Sequence, residues 1–273
     1  MRSCKALNLC LGRVCLQILT CSPEVIDYIT GKCGVFLSTD ASPDFRLNVS
    51  CEEGKTPIGT VAPDLIVSAD NGAVTGKFAD SALSLNRKEK TGTLFADARL
   101  MPVSLETCLR AVFAALLSWR GDILLHAAGI LRNGFAYVFF GPSEAGKSTI
   151  STLRDGGKVL SDETMILYAE GGEVLAQGTP FWGDVQTIEN TPTPFPVTGL
   201  YLLHKSETVR LERMKPSQAV AEMLANIHSA GQDKFSAQLI QKSLDKIVAK
   251  VPCYFLYFTK DEEFWRKIDA LRQ

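Results

Sequence analysis

Residues 141 to 149 read Gly-Pro-Ser-Glu-Ala-Gly-Lys-Ser-Thr, and no other run in the chain limits the fold as much. It fits G-x-x-x-x-G-K-[ST] at every fixed position. Glycines let the backbone curl until its N–H groups converge on one anion. Lys147 adds a point charge for the β and γ phosphates. The Ser148 hydroxyl is a hard oxygen suited to Mg²⁺, which keeps most of its water and accepts one or two protein oxygens. The apolar run Ala136 to Phe140 predicts a strand before the loop. Lys147 to Asp155 predicts a helix after it, with its positive end toward the same anion. A chance match arises about once in a hundred chains of this length, and the flanking elements make it rarer. The expected cofactors are ATP and Mg²⁺. Gly141, Pro142, Ser143, Glu144, Ala145, Gly146, Lys147, Ser148 and Thr149 are the expected binding residues.

The second half alternates strands and helices, a pattern that predicts an α/β domain with a mixed sheet. Leu105, Leu109, Val112, Phe113 and Leu116 recur at helical spacing after Ser104. Asn133-Gly134 joins the apolar runs 123–131 and 135–140 as a two-residue hairpin turn. Further strands are expected at Val159-Leu160, 164–168, 173–176, 199–203 and 253–258, and helices at 216–225, 235–250 and 262–272. Before residue 102 the signals are strand-like: Val14 to Ile18, Gly34 to Ser38, Arg46 to Cys51, Leu65 to Ser68 and Ala73 to Phe78, with a turn at Asp70-Asn71-Gly72. The expected division is a small β-rich region over 1–101 and a catalytic domain over 102–273.

A phosphate loop needs a carboxylate beside it. Asp162 and Glu163 lie fifteen and sixteen positions beyond Lys147. A helix running out from the loop, a stop at Gly156-Gly157 and a returning strand at 158–161 bring them back toward the phosphates. The bland reading is that both merely cap a strand end. His126 follows from the hairpin. With Asn133 and Gly134 in the turn, counting back sets it opposite Gly141. Its candidate roles are holding a carboxylate, tuning its pKa or contacting phosphate; otherwise it is a satisfied core histidine.

The bulk numbers exclude several classes. Formal net charge is −1, with acids and bases mixed, so nothing calls for nucleic acid or an anionic membrane. No apolar stretch is long enough for a bilayer. The run ending Ile18-Leu19-Thr20-Cys21 is broken by Asn8, Arg13 and Gln17, and Thr20 is large for a cleavage site, which argues against export. Six of the eight cysteines precede residue 52. None forms a C-x-x-C pair, and several sit in apolar runs. Reduced thiols acting as small hydrophobes are expected, in a cytoplasmic setting.

Leu125-His126-Ala-Ala-Gly129, Gly141 to Thr149 and Leu160-Ser-Asp162-Glu163, in this order and at these spacings, resemble the HPr kinase/phosphorylase catalytic domain. The wider group includes ATP-dependent phosphoenolpyruvate carboxykinase. The resemblance covers about residues 104 to 270. It implies that Lys147 binds phosphate and that Ser148 and Asp162 serve the metal. It also implies that Asp162 and Glu163, with His126 beside them, divide metal binding and base duty in transfer to a hydroxyl. Glu163 stands where the family usually has Asp, and Glu144 where it commonly has Gly. No stretch matches the family's basic, glycine-containing substrate-recognition segment, which argues against HPr as acceptor, and the carboxykinase's extra kinase motif is not found either.

The expected activity is transfer of the γ-phosphate of ATP to a hydroxyl-bearing acceptor, either a serine of a peptide or protein or a serine-like small molecule. Two rivals remain: a P-loop ATPase doing conformational work, and a non-catalytic nucleotide-binding regulator. Gly178 to Asp184, with Trp182 offering a flat face and Asp184 a carboxylate, is either an acceptor dock or a structural turn. Arg210 and Arg213 are weaker candidates for offsetting phosphate charge. Self-association is left open.

Overall fold

The computed structural model describes residues 4–55, 65–183, 185, 188–229 and 233–271. It divides into two compact units, 1–120 with 229–238, and 121–228 with 239–273. Both are built on mixed sheets, so the fold is mixed α/β.

Among the described residues the first unit holds seven strands: β1 (Lys5–Leu11), β2 (Val14–Thr20), β3 (Phe45–Glu52), β4 (Ile66–Asp70), β5 (Ala73–Phe78), β6 (Ser81–Asn86) and β7 (Thr91–Asp97). They run in the order β1-β2-β3-β7-β6-β5-β4. Alternation selects the buried face: Phe45, Leu47 and Val49 point in, while Arg46, Asn48 and Ser50 point out. Helix α1 (Pro23–Lys32) was not expected in this β-rich region. Ser22 caps it by accepting from the Val25 amide, Pro23 opens it, and Val25 and Ile29 are its buried residues. Gly34 to Ser38, expected as a strand, instead carries a short 3₁₀ turn over Gly34–Phe36. Helix α2 (Val103–Ser118) was expected to open the second domain, but it contacts β5, β6 and β7. Its apolar side chains belong to the first unit's core, which is why the division falls after Arg120 and not after residue 101.

Reduced thiols are corrected for four of the eight cysteines, because Cys4–Cys21 and Cys10–Cys15 are disulfides. Strands β1 and β2 pair around the turn at residues 12 and 13, and that register sets Cys10 opposite Cys15 and continues outward to Cys4 and Cys21. With two disulfides, the cysteines no longer point to a reducing compartment. Cys33, Cys51, Cys108 and Cys253 are free. Burial pushes the thiols of Cys33, Cys108 and Cys253 up to about 12.

The second unit contains β8 (Ile123–Arg132), β9 (Phe135–Phe140), α3 (Lys147–Thr152), β10 (Lys158–Ser161), β11 (Thr164–Glu170), β12 (Glu173–Gly178), β13 (Phe195–Lys205), β14 (Arg210–Arg213), α4 (Pro216–Ala225), β15 (Cys253–Phe258) and α6 (Glu263–Ala270). Helix α5 (Lys234–Lys250) belongs to it from Leu239 onward. Its sheet order is β10-β8-β11-β12-β13-β15-β14, with β9 paired to both β8 and β13. Strand β13 is parallel to β9 and β15. Both faces are covered. Leu125, Val138, Phe140, Leu200 and Leu202 cluster with Met223, Leu244 and Ile247. Ile130, Phe139, Tyr201 and Leu256 cluster with Ile150, Phe264 and Trp265. Burial on two faces explains why Ala136 to Phe140 is apolar throughout instead of alternating.

Three tight turns fix the registers. Asn71-Gly72, Asn133-Gly134 and Gly171-Gly172 each have positive φ at both positions, the requirement of a type I′ turn. Among the described residues no helix is long and apolar enough to cross a membrane.

Candidate functional site

The hairpin places the first candidate. Arg132 pairs with Phe135, and the ladder runs unbroken to Ala127 opposite Phe140. The next residues outward are His126 and Gly141. At that point β8 changes partner, and His126 pairs with Thr164 on β11. Main-chain bonds from the amides of His126 to Asn226 and of Ala127 to Glu163 hold the fork. The Nδ1 atom of His126 lies 3.0 Å from the main-chain oxygen of Glu163. A carbonyl oxygen only accepts, so in the neutral ring Nδ1 carries the proton and Nε2 keeps its lone pair. The same Nδ1 is 3.5 Å from the Glu163 carboxylate, and the His228 ring meets His126 edge-on at 5.3 Å.

The glycine-rich loop leaves the end of β9. Gly141 and Gly146 have φ of 153° and 112°, and Glu144 has φ of 67°. The last value is costly for a residue with a Cβ. Gly146 is also short of space, since a Cβ there would come within 2.6 Å of the Phe258 ring. Lys147 is buried and curls onto its own loop, donating to the carbonyls of Gly141 at 2.8 Å and Pro142 at 2.9 Å. Burial holds its ammonium below the ordinary lysine range, against the upward pull of Glu163. Helix α3 stops at Thr152, short of the expected Asp155. The Trp265 indole donates to the Leu153 carbonyl at 2.6 Å, and Asp155 and Gly156 take positive φ.

The acid pair sits where β10 ends. The register between β10 and β8 slips between Val159 and Ser161, leaving Leu160 as the extra residue of a bulge, a device that re-aims side chains next to functional sites. The Ser161 hydroxyl then accepts from the amides of Glu163 and Thr164. Asp162 is buried, and both its oxygens are engaged: Oδ1 accepts from the Gly183 amide at 2.8 Å and Oδ2 from the Val185 amide at 3.1 Å. The side chain of Glu163 is about a third exposed.

These groups line one cleft of about 490 Å³, together with Ser143, Glu144, Gly146, Ser148 and Thr149, within the range usual for small-molecule sites. Two residues that the sequence reading did not single out, Lys205 and Lys260, share the lining. Arg210 and Arg213 do not. Arg210 stacks over Tyr257 and pairs with Glu212. The segment offered as an acceptor dock serves in part to hold Asp162 through Gly183. Asp184 lies outside the described residues.

Among the described residues no group of three or more His, Cys, Asp or Glu side chains is arranged to hold a metal ion. Oxygen donors lining the cleft include the Ser148 hydroxyl and the carboxylates of Glu144, Asp162 and Glu163. A carboxylate has about four lone-pair sites, so each Asp162 oxygen retains acceptor capacity beyond its amide. Hard oxygens in this number suit Mg²⁺ carried on nucleotide phosphates better than a dedicated all-protein cage.

No curated protein matches the chain. Among solved structures it has a remote likeness to the Hpr(Ser) kinase/phosphatase from Coxiella burnetii, at 13% identity and a TM-score of 0.32, covering 55% of this chain and 97% of that one. Residues 93–272 match the family model described as ScmC, SynChlorMet cassette protein ScmC. That match spans well over half the sequence and takes in the whole of the glycine-rich loop, the acid pair and His126, so the chain belongs to the ScmC family of SynChlorMet cassette proteins.

Proposed function

We propose that this chain binds ATP with Mg²⁺ in the cleft and transfers the γ-phosphate to a hydroxyl. The observation that carries the reading is that Lys147, Ser148, Asp162, Glu163 and His126 all line one cleft with the glycine-rich loop. Lys147 swings from the Gly141 and Pro142 carbonyls onto the β and γ phosphates. Ser148 and Asp162 would hold Mg²⁺, which would supply charge neutralisation. Asp162 is pinned by two amides and buried, so it suits a fixed anion. Glu163 is more accessible and lies beside His126, so it suits the base. The acceptor oxygen forms its bond to the γ-phosphorus as the bond to the β–γ bridging oxygen breaks. The hydroxyl proton passes to Glu163, and ADP leaves. The acceptor is a serine of a peptide or protein, or a serine-like small molecule. Incubation with γ-labelled ATP and candidate hydroxyl acceptors tests this. Label should move to an acceptor in the wild type and not in Glu163→Gln; equal transfer by both would refute the assignment of the base.

A second reading, a nucleotide-binding regulator without turnover, is favoured by one specific observation. Both oxygens of Asp162 are taken up by loop amides, an arrangement that also fits a purely structural carboxylate. It predicts saturable MgATP binding with no release or transfer of phosphate.

A further inference from the structure

The cleft contains two cations that the phosphate-loop pattern does not account for. Strand β13 lies between β9 and β15 and is parallel to both. All three therefore end at the same edge of the sheet, the edge where ligands of open α/β sheets bind. Strand β9 delivers the glycine-rich loop there. Strand β13 ends on Lys205, and β15 ends on Phe258, just before Lys260. Phe258 is the residue whose ring lies against Gly146. The segment that carries Lys260 thus leaves the sheet beside the loop, and Lys205 pairs in register with Phe258.

Both lysines are exposed, and both line the cleft. No ion pair among the described residues engages either, although other lysines of the chain are paired, Lys158 with Glu189 and Lys32 with Glu106. Their charge is not idle in the local balance. Glu144, Asp162 and Glu163 bring three carboxylates to the lining, against which Lys147 supplies one ammonium. A polyphosphate entering a cleft of that charge is repelled. With Lys205 and Lys260 the three lysines balance the three carboxylates. Among the described residues no arginine lines the cleft.

We propose that Lys205 and Lys260 are nucleotide-positioning residues that hold the phosphate chain of ATP at the mouth of the cleft, offsetting the acidic residues beneath. The inference rests on the nucleotide reading above and adds two residues outside the sequence pattern that suggested it. Each lysine acts as a mobile point charge on a flexible stem, so its contribution is to affinity and salt dependence.

The test is calorimetric titration of the full chain with MgATP, comparing wild type with Lys205→Met, Lys260→Met, both together, and the double Lys→Arg variant. Thermal melts serve as a check on folding, and exposed side chains make loss of fold an unlooked-for result. Each single Met variant should weaken MgATP binding about tenfold, the scale of a charge-assisted contact. The double should weaken it further and flatten the dependence on salt. The double Arg variant should restore affinity to within a few fold. MgATP binding by the double Met variant equal to wild type overturns the inference, as does an Arg variant as weak as the Met one. Failure of wild type to bind MgATP removes the nucleotide reading itself. Loss of binding in Lys147→Ala but not in the double Met variant removes only this inference.

Discussion

The Gly183 amide donates a 2.8 Å hydrogen bond to Oδ1 of Asp162, and this contact ties the loop after β12 to the acid that follows β10. With the Val185 amide on Oδ2, the carboxylate is fixed at both oxygens. Asp162→Asn replaces one acceptor with an NH₂ that faces a donor. Turnover of MgATP is expected to fall at least ~100-fold as the fixed anion for the metal is lost, and MgATP affinity is expected to fall with it. Hydrogen bonds to a charged group are worth roughly 1.5–3 kcal/mol each, so a lower melting temperature should accompany the loss. Phosphate release and titration measured on the same preparation check this, and unchanged turnover would remove the catalytic role.

Gly146 is required twice over. Its φ of 112° disfavours any side chain, and Phe258 occupies the space. Gly146→Ala should abolish detectable MgATP binding. Adding Phe258→Ala should recover only part of it, because the backbone strain of about 1–3 kcal/mol remains. Full recovery in the double variant would show that the contact alone matters.

Glu144 holds a left-handed conformation at φ of 67° and brings a negative charge to the cleft. Glu144→Gly should relieve both penalties, raising MgATP affinity several fold and stability by about 1 kcal/mol. Glu144→Gln should raise affinity alone. Denaturant melts beside titrations separate the two effects.

In the proposed complex Lys147 meets phosphate as the ammonium, and in the free chain burial lowers its pKa while Glu163 raises it. MgATP affinity should therefore decline as pH rises through a value below the ordinary lysine range. Glu163→Gln removes the upward pull and should move the decline to lower pH. Titrations between about pH 7 and 10 check the sign; a shift to higher pH would contradict it.

Asp97 carries a prediction about the fold. The Arg99 guanidinium, helped by the amides of Gly54 and Arg99, holds the buried Asp97 carboxyl down to about 2 against the cost of burial. A depressed carboxylate stabilises the folded state fully above its unfolded value of 3.8 and loses that contribution as pH falls toward 2. Asp97→Asn should lower stability at neutral pH and flatten its decline over that window. Denaturant unfolding at stepped pH measures both, and parallel curves for the two proteins would contradict it.

The sequence was informative where periodicity and turn chemistry are local. Asn133-Gly134 fixes a register that carries His126 to the loop, because a type I′ turn leaves no freedom in the count. The strand–loop–helix around residues 141–149 was legible for the same reason. Lys205 and Lys260 were not, because their position depends on β13 lying parallel between β9 and β15, a long-range pairing that no local signal states. Gly183 and Val185 as anchors of Asp162 escaped for a related reason: main-chain donors leave no mark on residue type. The two disulfides were within reach. Cys10 and Cys15, and Cys4 and Cys21, stand symmetrically about the turn at residues 12 and 13, but that turn was not recognised. Helix α2 was found, yet its partner was not, since an apolar helical face does not name the sheet it covers.

The most direct measurement is calorimetric titration of the wild-type chain and Lys147→Ala with ATP in the presence of magnesium. Saturable one-site binding by the wild type and its loss in the variant are expected, with both chains melting as folded proteins. A flat wild-type titration, or equal binding by the two, would contradict it.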